Sequence, residues 1–178
     1  DVQTFNGLTG YLVTITTAQE NNWIKEKIST NAWTGGSDED TENIWKWMDG
    51  PEAGQTYTCQ KYVEASVGGT GAAISGCSEQ SYLNWVPGEP NSHKAAKDDG
   101  NWKENYMHVY GDPTDDKFGQ WNDFVSPHKN SFNLVTKYIV EYGGMGGTAT
   151  VFGSASLSIN STEVDFFVDK DLVGIVEG

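Results

Sequence analysis

The run WVPGEPNS at residues 85–92 constrains the fold of this chain more than any other stretch. Two prolines and a glycine fall within residues 87–90, which excludes the interior of a helix or strand, because proline lacks a main-chain N–H donor. The run therefore predicts an irregular loop. That loop holds a carboxylate, Glu89, and a carboxamide, Asn91, at a fixed offset on either side of a proline.

The net charge of the chain limits the classes of partner that we expect it to bind. It carries 25 acidic against 11 basic residues, a formal charge of -14, and every basic residue is a lysine. Nucleic-acid and anionic-membrane binding usually depend on basic surfaces and on arginine, so we expect neither partner. The excess carboxylates suit a salty or calcium-containing medium, or they serve solubility alone.

Length and cysteine usage bound the class of protein. The 178 residues suffice for one domain with a core and an appendage. No apolar run approaches the ~20 residues that cross a bilayer, so we expect no direct membrane insertion. Asp1 starts no signal sequence, which suggests a mature or excised piece.

Cys59 and Cys77 flank a Gly-, Ala- and Ser-rich segment. A disulfide between them would stabilise the fold by about 3 kcal/mol and would indicate that the protein resides in an oxidising compartment. The alternative is that both cysteines are buried free thiols.

Local patterns predict an α+β domain with one helix, several short strands and long loops. Thr17 and Glu20 have capping-box spacing, which predicts a helix to about Ser29 after a strand at 11–15. Further strands are predicted at residues 32–36, 44–48, 106–110 and 137–142, with a turn region containing Gly, Trp and Asn-Asp between the last two.

A glycine-rich run, GGMGG at residues 143–147, is a candidate linker. Alternating apolar positions follow it and predict two or three more strands. We therefore expect a domain at residues 1–143, and a β extension or the start of a neighbouring module at 144–178.

Hard oxygen donors concentrate in the second half of the chain, at Glu89, Asn91, Glu104, Asn122 and Asp123. Calcium takes about six to eight oxygens and accepts such a mixture of carboxylates and amide carbonyls, whereas zinc prefers nitrogen and sulfur. By composition alone, a solvated acidic loop explains these residues equally well.

The other candidate ligands have weaker patterns. The three histidines, His93, His108 and His128, show no metal-binding spacing, so we expect them in solvent or in the core. The insertion at 111–119 adds Asp112, Asp115 and Asp116, which indicate a second calcium site or, as we favour, a solvated turn.

The order of seven motifs resembles a C-type lectin-like domain over about two thirds of the chain. The matching segments are GYLVTITTAQENNWI at 10–24, AWTGG at 32–36, WKWMDG at 45–50, YLNWVPGEPN at 82–91, EN at 104–105, WND at 121–123 and YIVEY at 138–142. Any one of them alone would be a weak signal; seven in the family order are a strong one.

The resemblance implies a role for each oxygen donor. In calcium-dependent members the corresponding residues surround one Ca²⁺, here Glu89, Asn91, Glu104, Asn122 and Asp123, and a cis peptide bond precedes the proline that matches Pro90. Sugar hydroxyls complete the shell there, with Glu89, Asn91, Glu104 and Asn122 as the implied sugar-binding residues. The Glu-Pro-Asn triplet implies mannose-, fucose- or glucose-type glycans rather than galactose.

The chain also departs from the family. Tyr106 and Val140 stand where cysteines are common, so Cys59 and Cys77 would be a pair private to this chain. Little sequence precedes residue 10 for the family's first strand and helix. Those elements lie upstream, or the strands after residue 147 help to cover the core.

Together these features predict a calcium-dependent carbohydrate-binding module of a larger secreted or cell-surface adhesin, acting outside the cell. The alternative is a protein-, peptide- or ice-binding domain on the same fold. We do not expect an enzyme, because the sequence pairs no nucleophile with a base and has no phosphate-binding loop.

Overall fold

The computed structural model has an α+β architecture, with one helix and fourteen short strands in the part of the chain that it describes. That part comprises residues 4–5, 8–61, 72–73, 78, 82–92, 103–126, 135–142, 158–159, 162–163, 167–169 and 171–177. Among these residues no helix has the length and apolar character to cross a bilayer.

Helix α1 spans Ala18–Lys27 and begins where the sequence predicts it. The Thr17 side chain accepts a hydrogen bond from the Glu20 main-chain N–H at 3.1 Å, and the Glu20 carboxylate accepts one from the Thr17 N–H at 3.0 Å. This reciprocal pair satisfies N–H groups that a helix start leaves without partners. The helix ends at its C-cap, Ile28, and buries Ile24 in the core.

The strands are short and follow one another with irregular connections. In chain order they are β1 Thr4–Phe5, β2 Leu8–Leu12, β3 Ala32–Ser37, β4 Trp45–Trp47, β5 Thr56–Thr58, β6 Gln60–Lys61, β7 Ala72–Ala73, β8 Tyr106–Val109, β9 Trp121–Phe124, β10 Lys137–Tyr142, β11 Ser158–Ile159, β12 Thr162–Glu163, β13 Phe167–Asp169 and β14 Asp171–Glu177.

Strand β10 organises the main sheet. It pairs antiparallel with β2 and with β14, and parallel with β3. From β3 the sheet continues through β4 to β5, while β3 also pairs with β8, and β8 with β9. The pairs β6–β7 and β11–β12 form separate two-stranded ribbons. This topology brings β9, which carries the predicted Asn-Asp pair, next to β8, which begins two residues after the predicted Glu104.

Aromatic rings fill the core between α1 and the sheet. The rings of Trp47 and Tyr57 stack at 4.1 Å, and Trp121 meets Trp47 edge to face at 6.5 Å. Each such ring removes about 150–250 Å² from water. The buried Trp121 indole N–H donates to Asn21 Oδ1 at 2.7 Å, and the Asn21 amide donates to the Gly119 carbonyl at 3.0 Å. These bonds fix β9 to the helix and make it a rigid support for the residues that it carries.

Gly36 permits the tightest contact in this core. A Cβ at that position would collide with the Tyr57 hydroxyl and come within 3.0 Å of Met107. Because strand β3 is buried along its whole length, neither neighbour has space to move away. The AWTGG segment therefore needs glycine at residue 36 for packing rather than for an unusual backbone angle.

Several predicted elements differ in extent from those observed. The first predicted strand, 11–15, corresponds to β2, which starts earlier and ends at Leu12. Residues 121–124, a turn region by composition, form β9 because they pair with β8 in the register His108 to Asn122. The seven residues of β14 were not distinguished in the sequence.

The C-terminal strand joins the sheet of the preceding segment. The β14–β10 pairing runs from Lys137 opposite Glu177 to Tyr142 opposite Leu172. This pairing covers one edge of β10, and both explanations for the short N-terminus stay predictions. The boundary between residues 1–143 and 144–178 stays a prediction.

Candidate metal centre

The loop of residues 82–92 is attached to strand β9 by main-chain hydrogen bonds. The Trp121 N–H donates to the Asn84 carbonyl at 2.9 Å, and the Val86 N–H donates to the Trp121 carbonyl at 2.9 Å. The Trp85 ring lies edge to face against Trp121, with centroids 5.7 Å apart. An irregular segment is thus held against a rigid strand, which gives its side chains fixed positions.

The tip of this loop points its polar side chains back at β9. The Glu89 N–H donates to the Val86 carbonyl at 2.9 Å, which closes a turn. The peptide bond between Glu89 and Pro90 is cis, as the resemblance implies. The Ser92 N–H then donates to Asp123 Oδ2 at 2.6 Å, so the loop returns directly to the carboxylate on the strand.

Three side-chain oxygens at this junction are buried and have no hydrogen-bond partner. They are Glu89 Oε2, Asn91 Oδ1 and Asp123 Oδ1. Asp123 is 1% exposed, and the buried Glu104 lies close enough for its charge to act on Glu89. Each buried acceptor without a donor destabilises a fold by about 1–3 kcal/mol, so three of them together form a polar site that a cation or an ordered water would satisfy.

The carboxyl groups are arranged unfavourably for a protein without a cation. Burial raises the pKa of Glu89 to about 8, and the charges of Asp123 and Glu104 act in the same direction. Burial also raises the pKa of Asp123. Burial is the largest cause of both shifts, and the negative charge of Asp123 adds to the raised pKa of Glu89. A bound cation would offset this buried negative charge.

The chemistry of the donors fits calcium. All the facing atoms are carboxylate or amide oxygens, which are the ligands that Ca²⁺ prefers, and no thiol or imidazole is among them. No three His, Cys, Asp or Glu side chains form a metal cluster anywhere in the described ranges. The candidate centre therefore depends on the Asn91 amide oxygen as well as on carboxylates, and hydroxyls or water must supply its remaining ligands.

Of the five predicted ligands, Glu89, Asn91 and Asp123 lie where the loop returns to β9, and the charge of Glu104 acts on Glu89. Asn122 extends to the other face of β9, and the calcium-binding role of all five residues stays a prediction. The Asn122 amide nitrogen donates to the main-chain carbonyl of Asp123 and lies 3.3 Å from His108 Nε2. Asn122 thus adjoins the centre through the backbone of its neighbour.

Two buried residues near the centre were not predicted. Asp38 Oδ1 and Asn105 Oδ1 are also without hydrogen-bond partners, and the Asp38 N–H donates to the Asn105 carbonyl at 3.2 Å. The pKa of Asp38 is raised to about 7, mainly because the carboxyl group is buried. A hydrogen bond from the Asn43 N–H lowers this pKa, whereas the charges of Glu42 and Asp123 raise it. The available signals were the position of Asn105 directly after Glu104 and that of Asp38 at the start of an acidic turn.

The insertion at 111–119 is a turn that uses its own acidic side chains. Asp112 Oδ1 accepts from the N–H and hydroxyl of Thr114, and Asp115 Oδ1 accepts from the Lys117 N–H. These bonds support the favoured prediction of a solvated turn.

The histidine and cysteine predictions have separate outcomes. His108 lies in the core, and burial lowers its pKa to about 4, so its ring is neutral near pH 7. His93, His128 and Cys77 lie outside the described residues. Cys59 is buried beside β5, and its bridge to Cys77 stays a prediction.

The order of elements and the loop geometry decide the fold. A capped helix, strand β3, the Trp-x-Trp strand β4, a loop with a cis Glu89–Pro90 bond and the Trp-Asn-Asp strand β9 follow one another, and β10 closes the sheet against β2 and β3. The chain has a C-type lectin-like fold. Helix α1 and the main sheet supply the scaffold, and the loop on β9 supplies the candidate metal centre.

No protein-family model matches the chain. Halomucin of Haloquadratum walsbyi is 31% identical over 155 residues, 87% of this chain, and the chain spans 1% of halomucin's length.

Solved C-type lectin domains overlap with the chain in part. The carbohydrate-recognition domain of the human scavenger receptor C-type lectin is 21% identical, with a TM-score of 0.40 over 70% of this chain and 86% of that one. The corresponding domain of cow CD23, solved in the presence of a GlcNAc2Man3 oligosaccharide, is 24% identical, with a TM-score of 0.39 over 65% of this chain and 59% of that one. Because both overlaps are partial, the fold assignment rests on the chain's own elements.

Proposed function

We propose that this domain binds carbohydrate through one calcium ion held by Glu89, Asn91, Glu104 and Asp123, with Asn122 beside them. The observation that supports this most is the group of three buried, unpartnered oxygens where the loop meets β9. A fold stabilised by its own contacts has no need for such a group, whereas a cation site requires one.

The chain's residues have the right hydrogen-bonding types to recognise two neighbouring sugar hydroxyls. When bound, the ion attracts one lone pair from each hydroxyl oxygen. Glu89 and Glu104 accept the hydroxyl hydrogens, and amide N–H groups donate to the remaining lone pairs, so that both hydroxyls are fully satisfied. Carboxylates and amides on either side of one ion thus select a pair of hydroxyls by their geometry.

The glycan class and the setting of the domain are finer parts of the same proposal. The Glu89-Pro90-Asn91 order supports mannose-, fucose- or glucose-type sugars through the resemblance described above. The match to a small part of a far longer relative supports a module within a larger multidomain chain. An extracellular or cell-surface adhesin would combine that arrangement with a calcium-rich, oxidising medium.

A double substitution tests whether Glu89 and Asn91 recognise the sugar, and it leaves the net charge unchanged. Glu89→Gln with Asn91→Asp exchanges the side that accepts hydrogen bonds with the side that donates them. Each mismatch in a buried site costs about 1–3 kcal/mol, and a monosaccharide held near millimolar has only about 4 kcal/mol of binding free energy. We expect calcium to bind still and mannose- or fucose-type binding to fall below detection.

The matched control exchanges the same residue types on the exposed face of α1. The variant Asn22→Asp with Glu26→Gln makes the same change in composition at two exposed helix positions and should bind sugar like the wild type. Calorimetry should use monomeric protein and free sugars, since multivalent presentation masks weak binding. Unchanged affinity in the loop variant would show that Glu89 and Asn91 do not read the sugar, and a wild-type protein that binds calcium but no glycan would favour protein, peptide or ice binding.

A further inference from the structure

Both sequence neighbours of Glu104 are held by residues 37–43, which comprise the last residue of β3 and the acidic turn after it. Before Glu104, the Lys103 ammonium forms an ion pair with the Glu42 carboxylate at 2.7 Å. Both partners of this pair are partly exposed, and exposed pairs contribute little because water and salt screen them. The ion pair alone would therefore hold Glu104 weakly.

The contact on the other side of Glu104 is a buried one with two donors. The Asn105 carbonyl accepts from the Ser37 hydroxyl at 2.7 Å and from the Asp38 N–H at 3.2 Å. The Ser37 oxygen also accepts from the Glu39 N–H at 3.1 Å, so the hydroxyl uses both its donor and its acceptor capacity. Ser37 is 4% exposed, so water does not readily replace its hydroxyl at the carbonyl.

Glu104 depends on these contacts for its position. Residues 103–105 lie outside any helix or strand, since β8 begins at Tyr106. Glu104 is nevertheless 8% exposed, and its charge acts on Glu89 at the candidate metal centre. A buried carboxylate on an irregular segment keeps one position only where neighbouring segments hold its main chain.

We propose that Ser37 is a positioning residue for the calcium ligand Glu104. Its hydroxyl holds the Asn105 carbonyl, and the peptide bond before Asn105 passes this constraint to Glu104. The ion pair of Lys103 restricts the same residue from the other side. The inference rests on the proposed function for its ligand, and it adds that the end of β3 determines how strongly the ion is held.

Calcium titrations of two variants measure this effect. Ser37→Ala removes the buried hydroxyl without adding bulk, and Thr41→Ala removes an exposed hydroxyl from the same turn as a matched control. We expect Ser37→Ala to weaken calcium binding about threefold to tenfold, the usual effect of one hydrogen bond. Thr41→Ala should bind calcium like the wild type, and a similar loss in both variants would contradict the proposal.

Two backgrounds that each lack one proposed ligand separate positioning from general damage. If Ser37 acts through Glu104, Ser37→Ala should change calcium affinity by less than about twofold once Glu104→Ala is present. In the Asn91→Ala background it should still weaken binding about threefold to tenfold. Nuclear magnetic resonance follows these titrations where binding is weak. Equal losses in both backgrounds would mean that Ser37 supports the fold as a whole, which would overturn the proposal.

Hydrogen exchange in the calcium-free protein tests the contact without the ion. We expect Ser37→Ala to speed exchange of the Asp38 amide, which shares the Asn105 carbonyl, and Thr41→Ala to leave it unchanged. Unchanged exchange in Ser37→Ala would refute the constraint at its source. Wild-type protein that binds no calcium would refute the proposed function and the ligand role of Glu104 together. Wild-type protein that binds calcium while Ser37→Ala binds it equally well would refute the role of Ser37 alone.

Discussion

Replacing Glu89 with glutamine should stabilise the calcium-free protein and remove its response to calcium. Burial raises the pKa of Glu89 from an ordinary 4.5 to about 8. The folded protein therefore holds this proton more tightly than the unfolded chain does. The resulting stabilisation is complete below about pH 4.5 and is lost as the pH rises through about 8. The variant carries no ionisable group at this position, so its stability should lack this part of the pH dependence.

The size of the effect follows from the pKa of Glu89. One pKa unit corresponds to about 1.4 kcal/mol, so the whole shift would be worth about 5 kcal/mol. Glu89 is only partly buried, so solvent screening reduces this to about 2 kcal/mol. For a domain of this size, that difference corresponds to about 4–8 °C in melting temperature.

Melting curves followed by circular dichroism, recorded with chelator between pH 5 and 8.5, measure this difference. The variant should melt higher than the wild type at pH 8, and the two should converge near pH 5. Added calcium should raise the melting temperature of the wild type only. Glu26→Gln, an exposed substitution on α1, controls for the loss of one negative charge. Parallel curves for wild type and Glu89→Gln at every pH would refute the placement of Glu89 among buried carboxylates.

Three further predictions concern the scaffold. Thr17→Ala, which breaks the capping box, should lower the free energy of unfolding by about 1 kcal/mol in urea titrations and leave calcium binding intact; an unchanged midpoint would contradict the observed cap. Ending the chain at residue 143 should lower the melting temperature, because β10 loses its β14 neighbour, and equal melting of both lengths would show that this pairing contributes nothing. Reduction of the predicted Cys59–Cys77 bridge should lower the melting temperature without abolishing calcium binding, and mass spectrometry that finds two free thiols in oxidised native protein would overturn the bridge.

The features that the sequence predicts well are those decided by near neighbours. The start of α1 depends on Thr17 and Glu20, which are three residues apart and contact each other directly. The alternation of Trp45 and Trp47 places both rings on the buried face of β4. Loop 85–92 is irregular because its prolines and glycine restrict the backbone locally. In such cases the residues that determine the local structure are close together in the sequence.

The features that the sequence predicts poorly depend on distant partners. Composition places residues 121–124 in a turn region, and only the resemblance of the Trp-Asn-Asp motif indicates the strand that they form beside β8. Strand β14 takes its place through pairing with β10, thirty to forty residues earlier in the chain. The burial of Asp38 and the orientation of the Asn122 amide arise in the same way from packing between separate segments. Composition identified the oxygen donors, but only the family motif order indicated that they converge.

Calorimetric titration of calcium into chelator-treated protein tests the proposed metal centre most directly. At pH 7 the wild type should bind one calcium per chain and release protons, detected by comparing buffers with different ionisation enthalpies, because burial raises the pKa of Glu89 to about 8 and calcium favours the ionised carboxylate. Asp123→Asn should bind far more weakly, since it removes the most deeply buried carboxylate of the set. Absence of calcium binding in the wild type, or equal binding by Asp123→Asn, would contradict a calcium centre formed by the loop and β9.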